Sequence, residues 1–124
     1  MRRDFPLAGR TILVVEDDFF QAQDLARELF DQGAALLGPF GTLGDAEAAL
    51  KAGAGADAAV LDIRVRDRLV YPFARRLERR GIPYLFATGY DRTSVPDRFR
   101  TITVCEKPYP ASSLIGAVRT LCGC

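Results

Sequence analysis

Five short runs in this chain are apolar at consecutive positions: "ILVV" (12–15), "AALL" (34–37), "AAVLD" up to its last residue (58–62), "PYLFAT" (83–88) and "ITVC" (102–105). A strand with one wet face alternates apolar and polar residues. A strand apolar throughout is buried on both faces, which is the pattern of a parallel sheet covered by helices on either side. The stretches between the runs have helical spacing. Phe19 to Gln32 place Ala22, Leu25, Ala26 and Leu29 on one stripe, with Gly33 as the stop. "TLGD" (42–45) opens a capped helix ending near Gly53, and Pro72 suits the first turn of a helix running through Arg80 to Gly81. A short, weakly patterned helix is expected between Thr93 and Arg100, and a last one over Pro110 to Leu121. The expectation is an α/β fold of five strand–helix pairs, a doubly wound five-stranded parallel sheet.

A chain of 124 residues makes one such domain. The net charge of +1 gives no general pull toward nucleic acid or membrane, but the charge is unevenly spread. From Arg64 to Arg100 ten Arg face Asp67, Glu78, Asp91 and Asp97, so this stretch carries +6 and the remainder −5. It reads as a solvated basic face or as a docking surface for an acidic partner. Cys105, Cys122 and Cys124 have no disulfide-framework spacing, and without histidine there is no zinc site. The basic N-terminus lacks the apolar stretch of a signal peptide, and no run approaches a membrane span. A cytoplasmic protein is expected.

Ligands of open parallel sheets bind beyond the carboxyl ends of the strands. Reading off those ends gives Glu16 and Asp17 after the first run, Asp62 after the third, Thr88 at the end of the fourth, and Lys107–Pro108 after the fifth. The second run ends in Gly38–Pro39, which carries no chemistry. Singly, each has a plainer reading: Asp62 as a helix cap, Thr88 as a β-branched strand residue, Glu16 and Asp17 as a solvated turn. Asp18 is expected to cap the first helix. Together, carboxylates, a hydroxyl and a lysine on one edge are what a hard divalent cation and a phosphoryl group require. Lys107 adds weight, because the chain has 15 Arg and only two Lys.

Through "ILVVEDD" (12–18), "AAVLD" (58–62), "FATGY" (86–90) and "EKPY" (106–109), the sequence resembles the receiver domain of bacterial two-component response regulators over essentially its whole length. "FATGY" is also similar to the FATGUY class of single-domain receivers typical of alphaproteobacteria. The resemblance implies a flavodoxin/CheY-like fold with Asp62 as phosphoacceptor, charged by a histidine kinase or a histidine phosphotransfer protein. It implies a Mg2+ (or Mn2+) ion held by Asp17 and Asp62, by Glu16 through water, and by the backbone carbonyl of Arg64. Thr88 and Lys107 would meet the phosphoryl oxygens, and the Lys107–Pro108 bond would be cis. Such a protein is a phosphoacceptor with metal-dependent self-phosphorylation and dephosphorylation chemistry, not a conventional turnover enzyme.

Three positions depart from the family pattern. The aromatic residue usual three positions before the lysine is Val104, which leaves the ordinary switch in question. Arg66 stands where a proline is common, four past the acceptor, and is expected to point to water; Arg64 two past it is left open. Gly89 leaves the pocket open to phosphodonors or attacking water. The last helix reaches the end of the chain, so one receiver domain over 1–124 and no output domain is expected, with action through a downstream protein partner or by passing its phosphoryl group on. A homodimer through the last two helices stays open, and nucleic-acid binding through the Arg-rich stretch is disfavoured. The rival from another class is a pseudo-receiver that binds without phosphorylation. A haloacid-dehalogenase-type phosphatase would need a second Asp where Arg64 stands.

Overall fold

A computed structural model describes residues 5–124. Five parallel strands form the sheet in the order β2-β1-β3-β6-β7: β1 (Thr11–Val15), β2 (Ala35–Phe40), β3 (Ala58–Leu61), β6 (Tyr84–Thr88) and β7 (Val104–Glu106). The helices are α1 (Phe19–Asp31), α2 (Leu43–Lys51), α3 (Tyr71–Arg79) and α4 (Ala111–Cys122). The doubly wound α/β expectation holds, and its reason is visible in β1. Ile12 and Val14 pack with Leu25, Leu29, Leu114 and Val118 from α1 and α4. Leu13 and Val15 pack on the other face with Leu43, Leu50, Phe73 and Leu77 from α2 and α3. Two-sided burial is what the unbroken apolar runs demanded.

Three local expectations need correction. The second strand does not stop at Gly38–Pro39 but continues to Phe40 across a bulge, where Leu13 pairs with Leu37 and Val15 with Phe40. Gly38 sits at φ +99 with its α-carbon so close to the β1 backbone that an added Cβ would lie 2.8 Å from the Val14 carbonyl oxygen. Glycine and proline together read as a strand end, yet only glycine fits this close approach. Between Thr93 and Arg100 there is no α-helix. Two single 3-10 turns, Arg92–Ser94 and Asp97–Phe99, stand there instead, with Val95 extended at φ −83 and ψ 131. The residue before a proline avoids the helical region, and Pro96 follows Val95. Among the described residues the sheet therefore has four α-helices rather than five.

The third correction adds an element. Residues 64–69 form a small antiparallel hairpin, β4 (Arg64–Val65) and β5 (Arg68–Leu69), between β3 and α3. Its turn places Arg66 at φ +56 without a glycine, which removes the usual sequence signal for a tight hairpin. No helix among the described residues is long and apolar enough to cross a membrane.

Candidate phosphoryl-acceptor site

Strand pairing brings the carboxyl ends of β1, β3, β6 and β7 side by side. The Glu16 N–H donates to the Phe40 carbonyl at 2.9 Å, and the Asp62 N–H to the Val15 carbonyl at 3.0 Å, so both residues continue the ladder one step past their strands. The Lys107 N–H donates to the Thr88 carbonyl at 2.8 Å, which carries β7's register into the loop. The Lys107–Pro108 peptide is cis.

These backbone constraints converge the side chains. The Lys107 ammonium donates to Glu16 Oε1 at 2.6 Å and to Asp62 Oδ2 at 3.0 Å, bridging the ends of β1 and β3. Glu16 is only 4% exposed, and its other oxygen accepts from the Asp18 N–H at 3.0 Å. Asp62 Oδ1 accepts from the Ile63 N–H at 2.7 Å. Asp17 is partly exposed, and its Oδ2 accepts from the Arg66 N–H at 2.7 Å. Asp18 turns away: it is the N-cap of α1, its side chain accepting from the Gln21 N–H at 2.9 Å. Three adjacent acids thus have three surroundings: a buried ion pair, a tether to the hairpin, and a helix cap.

The electrostatics follow from burial. Burial pushes the Glu16 carboxyl above its ordinary value, and the charge of Asp62 adds to this; the hydrogen bonds from Lys107 and the Asp18 N–H pull the other way and do not overcome it. Burial acts downward on Lys107, yet the Glu16 hydrogen bond and the Asp62 charge and hydrogen bond outweigh it, so the lysine lies above its ordinary value. Lys107 is firmly cationic at neutral pH.

Glu16, Asp17 and Asp62 each offer a carboxylate oxygen, and these oxygens lie within 4.8 Å of one another. An all-oxygen, anionic donor set suits a hard divalent cation such as Mg2+. Arg64 begins the hairpin two residues past Asp62 with its side chain exposed. Thr88 is buried, at 1% exposure, and its hydroxyl oxygen accepts from the Tyr90 N–H at 3.2 Å. Val104 is half-buried and packs against the core on the α2–α3 side, opposite Phe86 in β6. A Cβ at Gly89 would meet nothing within 4 Å, so that position faces open space.

Arg66 does not simply point to water. Besides its N–H on Asp17, its Nε donates to the Gly41 carbonyl at 3.2 Å, tying the hairpin to both the acidic cluster and the loop before α2. Nothing in the sequence marks this contact, because it depends on a left-handed residue that is not glycine.

No family model matches the chain, and no curated protein matches its sequence. Solved structures do. SdrG from Sphingomonas melonis Fr1 is 35% identical with a TM-score of 0.78, the match covering 94% of this chain and 97% of that one. The BeF3-activated conformation of SdrG from Pseudomonas melonis Fr1 is 34% identical with a TM-score of 0.71, covering 93% and 98%. A response regulator receiver protein from Sinorhizobium medicae WSM419 is 28% identical with a TM-score of 0.78, covering 92% and 94%. With a relative this similar matched along nearly its full length, and the carboxylates and lysine gathered at the strand ends, the chain belongs to the response regulator receiver domains of two-component signalling.

Proposed function

We propose that Asp62 accepts a phosphoryl group from a histidine kinase or histidine phosphotransfer protein, and that the chain, as a single receiver domain in the cytoplasm, signals by contact with another protein. The observation that carries this is the Lys107 ammonium held between Glu16 and Asp62. An Asp62 carboxylate oxygen attacks phosphorus, the bond from phosphorus to the donor's imidazole nitrogen breaks, and that nitrogen keeps the electron pair and takes up a proton. Such transfer depends on positioning and charge neutralisation. Lys107 exchanges an Asp62 oxygen for a phosphoryl oxygen and keeps its bond to Glu16. Thr88 gives up the Tyr90 N–H and donates its hydroxyl to a second phosphoryl oxygen.

A divalent cation bound by Asp17 and Asp62, with Glu16 and the Arg64 carbonyl completing the set, would neutralise charge on the incoming group. SdrG is known in a BeF3-activated conformation, and its similarity to this chain supports the same chemistry here. The test is a phosphoprotein gel after incubation with acetyl phosphate and magnesium, beside Asp62→Ala. Acid-labile phosphate is expected on the wild type alone. A wild type that stays unlabelled, while magnesium binding is intact, would leave a phosphorylation-independent binding module. Asp17→Asn is expected to lower magnesium affinity severalfold in a calorimetric titration, and unchanged affinity would remove Asp17 from the metal set.

A further inference from the structure

On the opposite side of the sheet from α1 and α4, helices α2 and α3 enclose a cleft of about 200 Å3 lined by Glu47, Leu50, Lys51, Arg76, Arg79 and Arg80. Leu50, the one apolar residue of the lining, is buried, and the rim holds four cations against one carboxylate. Glu47 is already shared: Arg76 reaches it at 3.7 Å and Arg68, from the hairpin, at 3.8 Å. Lys51, Arg79 and Arg80 are exposed and have no ion-pair partner among the described residues.

Cations near a helix C-terminus offset its macrodipole, and Lys51 and Arg79 stand in the last turns of α2 and α3. Arg76 stands in the same last turn of α3 and is answered by Glu47, while Arg80 caps that helix and adds its charge beside Lys51 and Arg79 with no carboxylate partner among the described residues. A rim so built favours an anionic occupant.

We infer that the α2–α3 cleft docks an acidic segment of a partner protein, with carboxylates on Lys51, Arg79 and Arg80. Nucleic acid fits less well. A duplex presents phosphate charge continuously, about one per 1.7 Å of axis, and would lay some of it against Glu47 and Glu78. A helical peptide spaces its carboxylates at i and i+4 and can pass either side of those acids. The face lies away from the carboxyl-end site, so docking does not depend on Asp62 accepting a phosphoryl group.

The test is fluorescence anisotropy on the full chain, with a labelled helical peptide bearing Glu at i and i+4. A peptide with Gln in place of Glu and a random-sequence duplex serve as comparisons. Saturable binding of the Glu peptide is expected, weakening by about tenfold or more between ~0.1 M and ~1 M salt as the Debye length contracts from about 10 to about 3 Å. Arg79→Glu with Arg80→Glu should lower affinity by at least about tenfold, while Arg119→Glu on α4 and Asp62→Ala should leave it unchanged. No binding by the wild type, affinity that survives the double reversal in a normally folded variant, or a duplex bound more tightly than the peptide would each overturn the inference.

Discussion

Replacing Lys107 by methionine keeps the length of the side chain and removes the charge between Glu16 and Asp62. The two carboxylates it leaves offer oxygens within 4.8 Å of each other, which at an effective dielectric of about 20 repel by about 3.5 kcal/mol. The lost attractions at 2.6 and 3.0 Å add to this, but the fold has an escape: Glu16 can take up a proton. From an unfolded value near 4.3, protonation at pH 7 costs about 3.7 kcal/mol, which caps the penalty in the absence of metal. About 3.5 kcal/mol is therefore expected, or a Tm lower by roughly 14 °C for a domain this size. Glu16 already lies above its ordinary value through burial and the Asp62 charge, and removing Lys107 raises it further. A carboxyl raised in the folded state stabilises fully below its unfolded pKa and loses that contribution as pH rises through the folded value. At pH 5.5 the cap falls to about 1.6 kcal/mol, so the variant's deficit should shrink by more than half. Paired thermal melts of wild type and Lys107→Met in chelator at the two pH values read this directly, and added magnesium should narrow the gap at pH 7. A variant melting within a degree or two of wild type at pH 7, or a deficit independent of pH, would refute the claim that this lysine holds the acidic edge together.

Two further outcomes are expected. Asp18→Ala removes the α1 cap on the Gln21 N–H and should cost about 1 kcal/mol in thermal or denaturant unfolding, with Asp18→Asn recovering most of it and labelling of Asp62 unaffected. Burial, then the charge of Glu28, pushes the Tyr109 hydroxyl up to about 12, so a phenolate absorbance titration should contain a component there that Tyr109→Phe abolishes. Because that pKa is raised, the stability it contributes is complete below about 10 and is lost as pH rises toward 12.

The bridge by Lys107 bears on how the site could respond to charge. In the structure the ammonium donates to two carboxylates, and Thr88 accepts from the Tyr90 N–H. Phosphorylation would give both a new acceptor at Asp62, and the Tyr90 N–H would be the donor released. On the α2–α3 face beside Val104, Tyr71 stacks on Phe99 with ring centroids 4.8 Å apart and meets Phe86 edge-on at 5.8 Å.

Local sequence dictates the layers. Runs such as "ILVV" and "AAVL", apolar at every position, can only be satisfied by burial on both faces, and this is a local property that survives any detail of packing. It also determined which residues reach the working edge, because Glu16, Asp17, Asp62, Thr88 and Lys107 lie at or just past the ends of parallel strands. The meeting of distant segments sets how those residues divide their labour. That Glu16 is buried under Lys107 while Asp17 is tied to Arg66 depends on distances between segments 45 to 91 residues apart in sequence, to which composition and periodicity are blind. It also decided the places where a local signal was overruled: β2 runs on through Gly38–Pro39 because Phe40 can still accept from Glu16, and Arg66 turns left-handed because Asp17 and Gly41 await its N–H and guanidinium. Periodicity reports what a segment prefers alone, and these contacts exist only once the segments have met.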